Sequence, residues 1–263
     1  MDGFFYKLSS KNSQAFKKLN AHPSSRTFSD SLIIYYQNAR SLKNKLDQLS
    51  NNIHLLTVSP HIIIITETWL SDFIPDSLIQ LKGYDIFRLD RNPLNSIYQR
   101  GGGVLIAVKP YFKAKSCSIS HSSCEHIFVS LSFSHNKIII GAIYVPQYAQ
   151  ANDSIYIKHV NIVDELKIKY PDSHLCLFGD YNLSHINWTN DGSLNFIKSG
   201  SPDKNIVSAA KILLDSFSLY NLKQYFPINP SKSNTLDLFF SSLEFSVDSP
   251  PEPLVNIDTH HYP

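Results

Sequence analysis

Four apolar, β-branched runs in this sequence stop on a polar residue able to bind metal or phosphate, and this pattern constrains the fold more than any other feature. The polar stops are Asn38, Glu67, Tyr144 and Asp180. Four successive isoleucines, Ile62, Ile63, Ile64 and Ile65, lead through Thr66 to Glu67. Such a run reads as a strand buried on both faces. A carboxylate at its end is costly to desolvate unless a cation or a hydrogen-bond donor meets it. One junction of this kind is often a helix cap; four of them point to a shared site at the strand ends.

Further runs of the same character predict buried strands at 32–37, 62–66, 104–108, 127–133, 138–144, 175–178 and 236–240. Helical faces lie between some of them. Leu42, Leu46, Leu49, Ile53 and Leu56 alternate spacings of four and three and fall on one side of a helix; similar faces recur at 155–168 and 206–222. Strands as close as 127–133 and 138–144 must pair antiparallel, whereas intervening helices imply crossovers. The expectation is two packed mixed sheets covered by helices. With 263 residues, 43% apolar and 12% aromatic, the chain suits one large domain. Residues 1–30 are rich in Ser, Lys and Asn and read as a polar, mobile leader. The domain is then 31–263, and the Pro-rich stretch 249–253 is a loop within it.

Composition removes several classes. No apolar run reaches the roughly 18 residues that cross a bilayer, and the N-terminus lacks a signal-peptide pattern, so an intracellular protein with no membrane partner is expected. A net charge of +2 permits a nucleic-acid partner without requiring one. Cys117, Cys124 and Cys176 form no CxxC and read as reduced thiols. Cys117, His121, Cys124 and His126 lack paired zinc-ligand spacing. Gly101, Gly102 and Gly103 precede no Gly-Lys-Ser/Thr, which excludes a P-loop and leaves close backbone approach as their use.

The polar stops carry a definite chemistry. Hard oxygen ligands suit Mg²⁺, which takes one or two carboxylates and keeps waters that a phosphate can replace. Hydrolysis also needs a base within reach of the attacking water. Asp180 fits, with Asn182 expected on the same side of an extended segment two residues later. Asp237 ends another Leu-rich run, and Asp258, His260 and His261 bring a carboxylate and imidazoles near the end of the sequence. A carboxylate can fix an imidazole's tautomer and favour the charged form that meets phosphate. Arg40, Lys43, Lys45, Arg88, Arg91 and Arg100 are candidates for a phosphate-contacting cleft, and Trp69, Tyr98 and Tyr148 for stacking or wedging.

With those residues in hand, the chain resembles the endonuclease/exonuclease/phosphatase superfamily, and within it the apurinic-type endonuclease domain of non-LTR (LINE-like) retrotransposons. The resemblance covers about 32–263. It rests on Gln37-Asn38-Ala39-Arg40-Ser41-Leu42, Thr66-Glu67-Thr68-Trp69-Leu70, Arg100-Gly101-Gly102-Gly103-Val104, Ile143-Tyr144-Val145-Pro146 and Gly179-Asp180-Tyr181-Asn182, in the family's order. The continuation to Ile186-Asn187-Trp188 looks like the retroelement branch.

The resemblance implies a four-layered α/β/β/α sandwich with two mixed sheets. It implies a Mg²⁺-dependent phosphodiesterase, with Mn²⁺ as the alternative ion, that nicks DNA and leaves a 3′-hydroxyl. Glu67 and Asn38 would be metal ligands, Asp180 would activate water, Asn182 would position phosphate and Tyr144 would stabilise the transition state. His261, oriented by Asp237, would contact the scissile phosphate; Arg40 and Arg100 would bind DNA. The family has Asp directly before that histidine and a further strand after it. Here His260 precedes His261 and the sequence ends at Pro263, so Asp258 is the candidate to supply the missing metal carboxylate, and the last strand is expected to be missing. No reverse transcriptase segment is present, and nuclear action follows only from the substrate. The alternatives are a phosphatase or a phospholipid or inositol phosphodiesterase of the same superfamily, and an inactive DNA-binding remnant.

Overall fold

Alternation along the isoleucine-rich strands builds the layers. The computed structural model describes residues 3–8, 31–56, 58–79, 81–120, 123–133, 136–147, 154–184, 186–188, 194–196, 203–226, 235–248 and 253–256. Their strands are β1 (Phe4–Leu8), β2 (Ile33–Asn38), β3 (Ile62–Thr66), β4 (Asp85–Leu89), β5 (Val104–Val108), β6 (Lys115–Ser116), β7 (Glu125–Phe133), β8 (Asn136–Tyr144), β9 (His174–Asp180), β10 (Ile186–Trp188), β11 (Leu194–Phe196), β12 (Lys223–Gln224), β13 (Asp237–Ser241) and β14 (Phe245–Asp248). The helices are α1 (Leu46–Leu55), α2 (Asp76–Ile79), α3 (Ser154–Lys169) and α4 (Lys204–Leu219).

Two six-stranded sheets form, ordered β14-β1-β2-β3-β5-β4 and β12-β13-β9-β8-β7-β6, and β10 and β11 make a separate ribbon. β2 and β3 pair parallel, joined through α1, and β8 and β9 pair parallel, joined through α3. The remaining neighbours in the two sheets are antiparallel. Both sheets are therefore mixed, as the sequence pattern requires.

Ile62 and Ile64 join Val104, Ile106 and Val108 in a core shared with Val129, Ile140, Phe178 and Phe239 of the other sheet. Ile63 and Ile65 point the other way, to Leu49 and Ile53 of α1. On the far side, Ile139, Ile143, Leu175 and Leu177 pack on α3 and α4 through Tyr156, Val163, Leu166, Leu213 and Phe217. The order of layers is α/β/β/α, and central strands such as β3 and β5 are buried on both faces because each sheet is covered twice.

The N-terminus corrects the sequence reading. Phe4–Leu8, taken above as part of a polar leader, is an interior strand, antiparallel to β14 on one side and β2 on the other. Tyr6 and Leu8 enter the core between the sheets while Lys7 is exposed. Five residues flanked by polar sequence give too short an alternation to stand out, and β1's partner β14 lies far along the chain. Residues 9–30 and 257–263 lie outside the described residues. β4 and β14 also escape the sequence reading, since both are edge strands with partly exposed, mixed-polarity faces. No helix among the described residues is long and apolar enough to cross a membrane.

Candidate active site

Sheet register gathers the polar stops into two facing rows. In one sheet Glu125 pairs with Tyr144, Tyr144 with Asp180 and Asp180 with Asp237, one residue from each of four neighbouring strands. In the other, Asn38 pairs with Thr66, directly before Glu67. β2, β3, β8 and β9 contribute their C-terminal ends; β7 and β13 run antiparallel to their neighbours and contribute their starts. Asp237 therefore opens a strand and does not close one.

Tyr36 and Asn38, two residues apart on β2, face the opposite sheet. The Tyr36 hydroxyl donates to Asp237 Oδ1 and lies 3.1 Å from Thr66 Oγ1. Asn38 Nδ2 donates to Asp180 Oδ2 at 3.1 Å and to Glu67 Oε1 at 3.2 Å. One amide thus ties together a carboxylate from each sheet. Asn38 stands out in the sequence as a polar stop and Tyr36 does not; the only signal for Tyr36 is the period of two that puts both residues on one face.

Glu67 is held by its own loop. Its φ is +51°, an unusual conformation for a side-chain-bearing residue. The loop is gripped from both sides: Ser41 N–H donates to the Glu67 carbonyl, while Thr68 and Trp69 N–H donate to the carbonyls of Gly103 and Gly102. Trp69 Nε1 donates to Glu67 Oε2 at 3.2 Å, so this indole orients the carboxylate and is not free to wedge.

The glycines are used for close approach. A Cβ on Gly102 would stand 2.1 Å from Glu125 Oε2, and one on Gly103 would stand 2.5 Å from Thr68 Oγ1. Glu125 Oε2 accepts from Gly103 N–H at 2.7 Å, and Glu125 Oε1 accepts from Arg91 Nη2 at 2.7 Å and Nε at 2.9 Å. The guanidinium also lies over the Tyr144 ring, 5.5 Å from its centre. Arg91, expected to face phosphate, is instead spent on an internal ion pair. Arg88 likewise pairs with Asp76 and Asp90. Glu125 belongs to the site and was missed as such, because its value lies in a register with Tyr144 that spacing does not reveal.

Asn182 departs from expectation. It is not extended: with φ +50° the chain turns, Asn182 N–H donates to Asp180 Oδ1 at 3.0 Å, and Asn182 Nδ2 donates to the Val145 carbonyl at 2.6 Å. Asp180 thus has both oxygens held by N–H donors. Arg40 sits beside this centre, its backbone N–H on Asn38 Oδ1 and its charge felt at Asp180. Arg100 is exposed, and its carbonyl accepts from Arg91. Asp258, His260, His261 and Tyr148 lie outside the described residues.

The electrostatics follow from crowding buried carboxylates. Burial, then the charges of Asp237 and Glu67, push the Asp180 carboxyl well above the usual carboxylate range, against the Asn182 N–H and Arg40, which lower it. Burial pushes Asp237 up to about 7, while the Tyr36 hydrogen bond pulls it down. Burial and the charges of Glu67 and Asp180 raise the Tyr144 hydroxyl far above its ordinary value, which keeps it a proton donor.

Among the described residues, no group of three or more His, Cys, Asp or Glu side chains forms a metal cage. The donor set fits a different kind of ion. Glu67 is half-buried and accepts from two neutral donors, Asn38 and Trp69. The half-buried Glu67 carboxylate and the Asn38 amide oxygen, which also accepts from the Arg40 N–H, are the hard oxygen donors that suit a cation keeping most of its hydration.

No protein-family model matches the sequence, and no curated protein matches it. Among solved structures, the fold is similar to the endonuclease domain of TRAS1, a telomere-specific non-LTR retrotransposon, at a TM-score of 0.51 with 12% identity, over 79% of this chain and 82% of that one. It is also similar to an AP endonuclease from Archaeoglobus fulgidus, at a TM-score of 0.50 with 15% identity, over 80% of this chain and 86% of that one. At such identities the likeness is one of fold: the chain has the two-sheet sandwich of these two endonucleases.

Proposed function

We propose that this protein is a Mg²⁺-dependent phosphodiesterase that nicks DNA and leaves a 3′-hydroxyl. The observation that carries this reading is the meeting of Asn38 and Glu67 from one sheet with Tyr144, Asp180 and Asp237 from the other, tied across the cleft by the Asn38 amide. The fold shared with two endonucleases supports DNA as the substrate.

In this reading Glu67 and Asn38 would hold the ion, which when bound would polarise the phosphate and offset its growing charge. Asp180 is the base. Burial and the neighbouring carboxylates raise its proton affinity above that of an ordinary aspartate, the direction a general base needs, and the Asn38 and Asn182 N–H groups fix its oxygens. Tyr144, held protonated, donates toward the oxygen on which charge develops. The proposal extends to His261, which Asp237 would orient toward the scissile phosphate, and to Asp258, which would add a metal carboxylate; Asn182, its Nδ2 on the Val145 carbonyl, would act on the phosphate only through Asp180, which its backbone N–H holds. Arg40 and Arg100 contact the DNA backbone, a term that weakens with salt.

The decisive experiment incubates supercoiled plasmid with the protein in Mg²⁺ and in EDTA. Nicking in Mg²⁺, its absence in EDTA and its loss in Asp180→Ala are expected. Folded protein that never nicks, or Asp180→Ala that nicks like the parent, overturns the reading.

A further inference from the structure

We infer that Tyr36 is a positioning residue for the reaction: its hydroxyl is the strut between the two sheets that sets the orientation of Asp237. The inference rests on the phosphodiesterase reading above and adds a residue to it.

The geometry is specific. Tyr36 is fully enclosed in the core between the sheets, its ring stacked on Phe178 at 5.9 Å and edge-on to Phe226 at 6.2 Å. A ring fixed in this way delivers its hydroxyl to one point. That point lies between Asp237 Oδ1, on β13, and Thr66 Oγ1, at the end of β3 and adjacent to Glu67. Thr66 and Asp237 belong to opposite sheets, so one O–H group spans the seam that the Asn38 amide spans between Glu67 and Asp180.

Asp237 needs such a partner. It is buried and stands opposite Asp180 in the ladder. Without a donor, its carboxylate would be left uncompensated in the core beside a second carboxylate. A phenol meets this need, because it supplies one donor at the end of a rigid apolar body that the intersheet core accepts. The donated hydrogen bond fixes Oδ1 and with it the orientation of the whole carboxyl.

Removing only the hydroxyl tests the idea. Tyr36→Phe should lower kcat for Mg²⁺-dependent plasmid nicking about 10- to 100-fold, the worth of one hydrogen bond to a charged group, while KM for DNA stays within about twofold. In an Asp237→Ala background the same substitution should cost less than about twofold, since the group it positions is gone. A hydroxyl that served only stability would lower the melting temperature without separating kcat from KM. Should Tyr36→Phe fail to fold, Thr66→Val takes its place: a kcat loss that disappears in the Asp237→Ala background supports the inference, and unchanged kcat overturns it. A parent that nicks while Tyr36→Phe is equally fast, or losses that multiply with Asp237→Ala, also overturns it. A folded parent that does not nick overturns the function reading, and the inference with it.

Discussion

Asp180 and Asp237 stand directly opposite one another across β9 and β13, both buried at the same end of the sheet. Two carboxylates so placed cannot both be charged without cost. Asp180 is raised by burial and by Asp237, and its oxygens are held by Asn38 and Asn182. Asp237 meanwhile is held by the Tyr36 hydroxyl, so each carboxyl of the pair has its own donor.

Among the described residues, Glu67 is the site carboxylate that is only half-buried, and the proposed function gives it the cation. Glu67→Gln keeps the shape and removes the charge. The Mg²⁺ concentration for half-maximal nicking should rise at least about tenfold, in line with the loss of a direct ligand. A Mg²⁺ titration with an unshifted midpoint would remove Glu67 from the metal site.

The Arg91–Glu125 pair holds the glycine loop and the Tyr144 ring in place. Glu125→Ala leaves a guanidinium with little exposure and no carboxylate partner, at a cost of about 3–5 kcal/mol. Chemical denaturation should report this as a shift in midpoint with the slope retained. A loss below about 1 kcal/mol would mean that water reaches Arg91 freely.

Beneath the site, His126 and His159 are buried with their Nδ1 atoms 3.1 Å apart, and His159 Nε2 lies 3.4 Å from the Tyr181 hydroxyl. Burial lowers His126 to about 3, and burial with the neighbouring imidazole lowers His159 well below its ordinary value. The unfolded chain, with histidines near 6.5, binds protons that the native state refuses. Stability from this pair is therefore complete above about pH 6.5 and falls as pH drops below it, by about 1.4 kcal/mol per pH unit for each histidine. Unfolding curves of the parent and His126→Phe between pH 7 and 4.5 should converge as pH falls, because the variant lacks one of the two slopes. Parallel curves would count against the assignment.

β1 is part of the core. Tyr6 packs edge-on against Phe178 at 5.2 Å and Phe239 at 4.7 Å, and its buried hydroxyl feels the charge of Asp237. Tyr6→Ala should destabilise the fold by about 3–5 kcal/mol, as for other large aromatic truncations in cores. If thermal melts of the variant and the parent coincide, residues 4–8 behave as a dispensable leader.

The sequence by itself determined the strands that are buried on both faces and the residues that end them. A run such as Ile62 to Thr66 has no polar face, so it must lie between two covering layers, and the polar residue after it must emerge at an edge. Asn38, Glu67, Tyr144 and Asp180 were legible for that reason, as were α1, α3 and α4 from their apolar stripes. Only the tertiary structure decided which of these ends meet. The row Glu125, Tyr144, Asp180, Asp237 depends on the register of four strands, and the Tyr36 and Asn38 bridges depend on one sheet facing the other. β1 belongs with these, because its burial comes from pairing with β14, far away in the chain. Local pattern fixes what a segment can bury; partners distant in sequence fix what it touches, and the chemistry proposed here lies in those contacts.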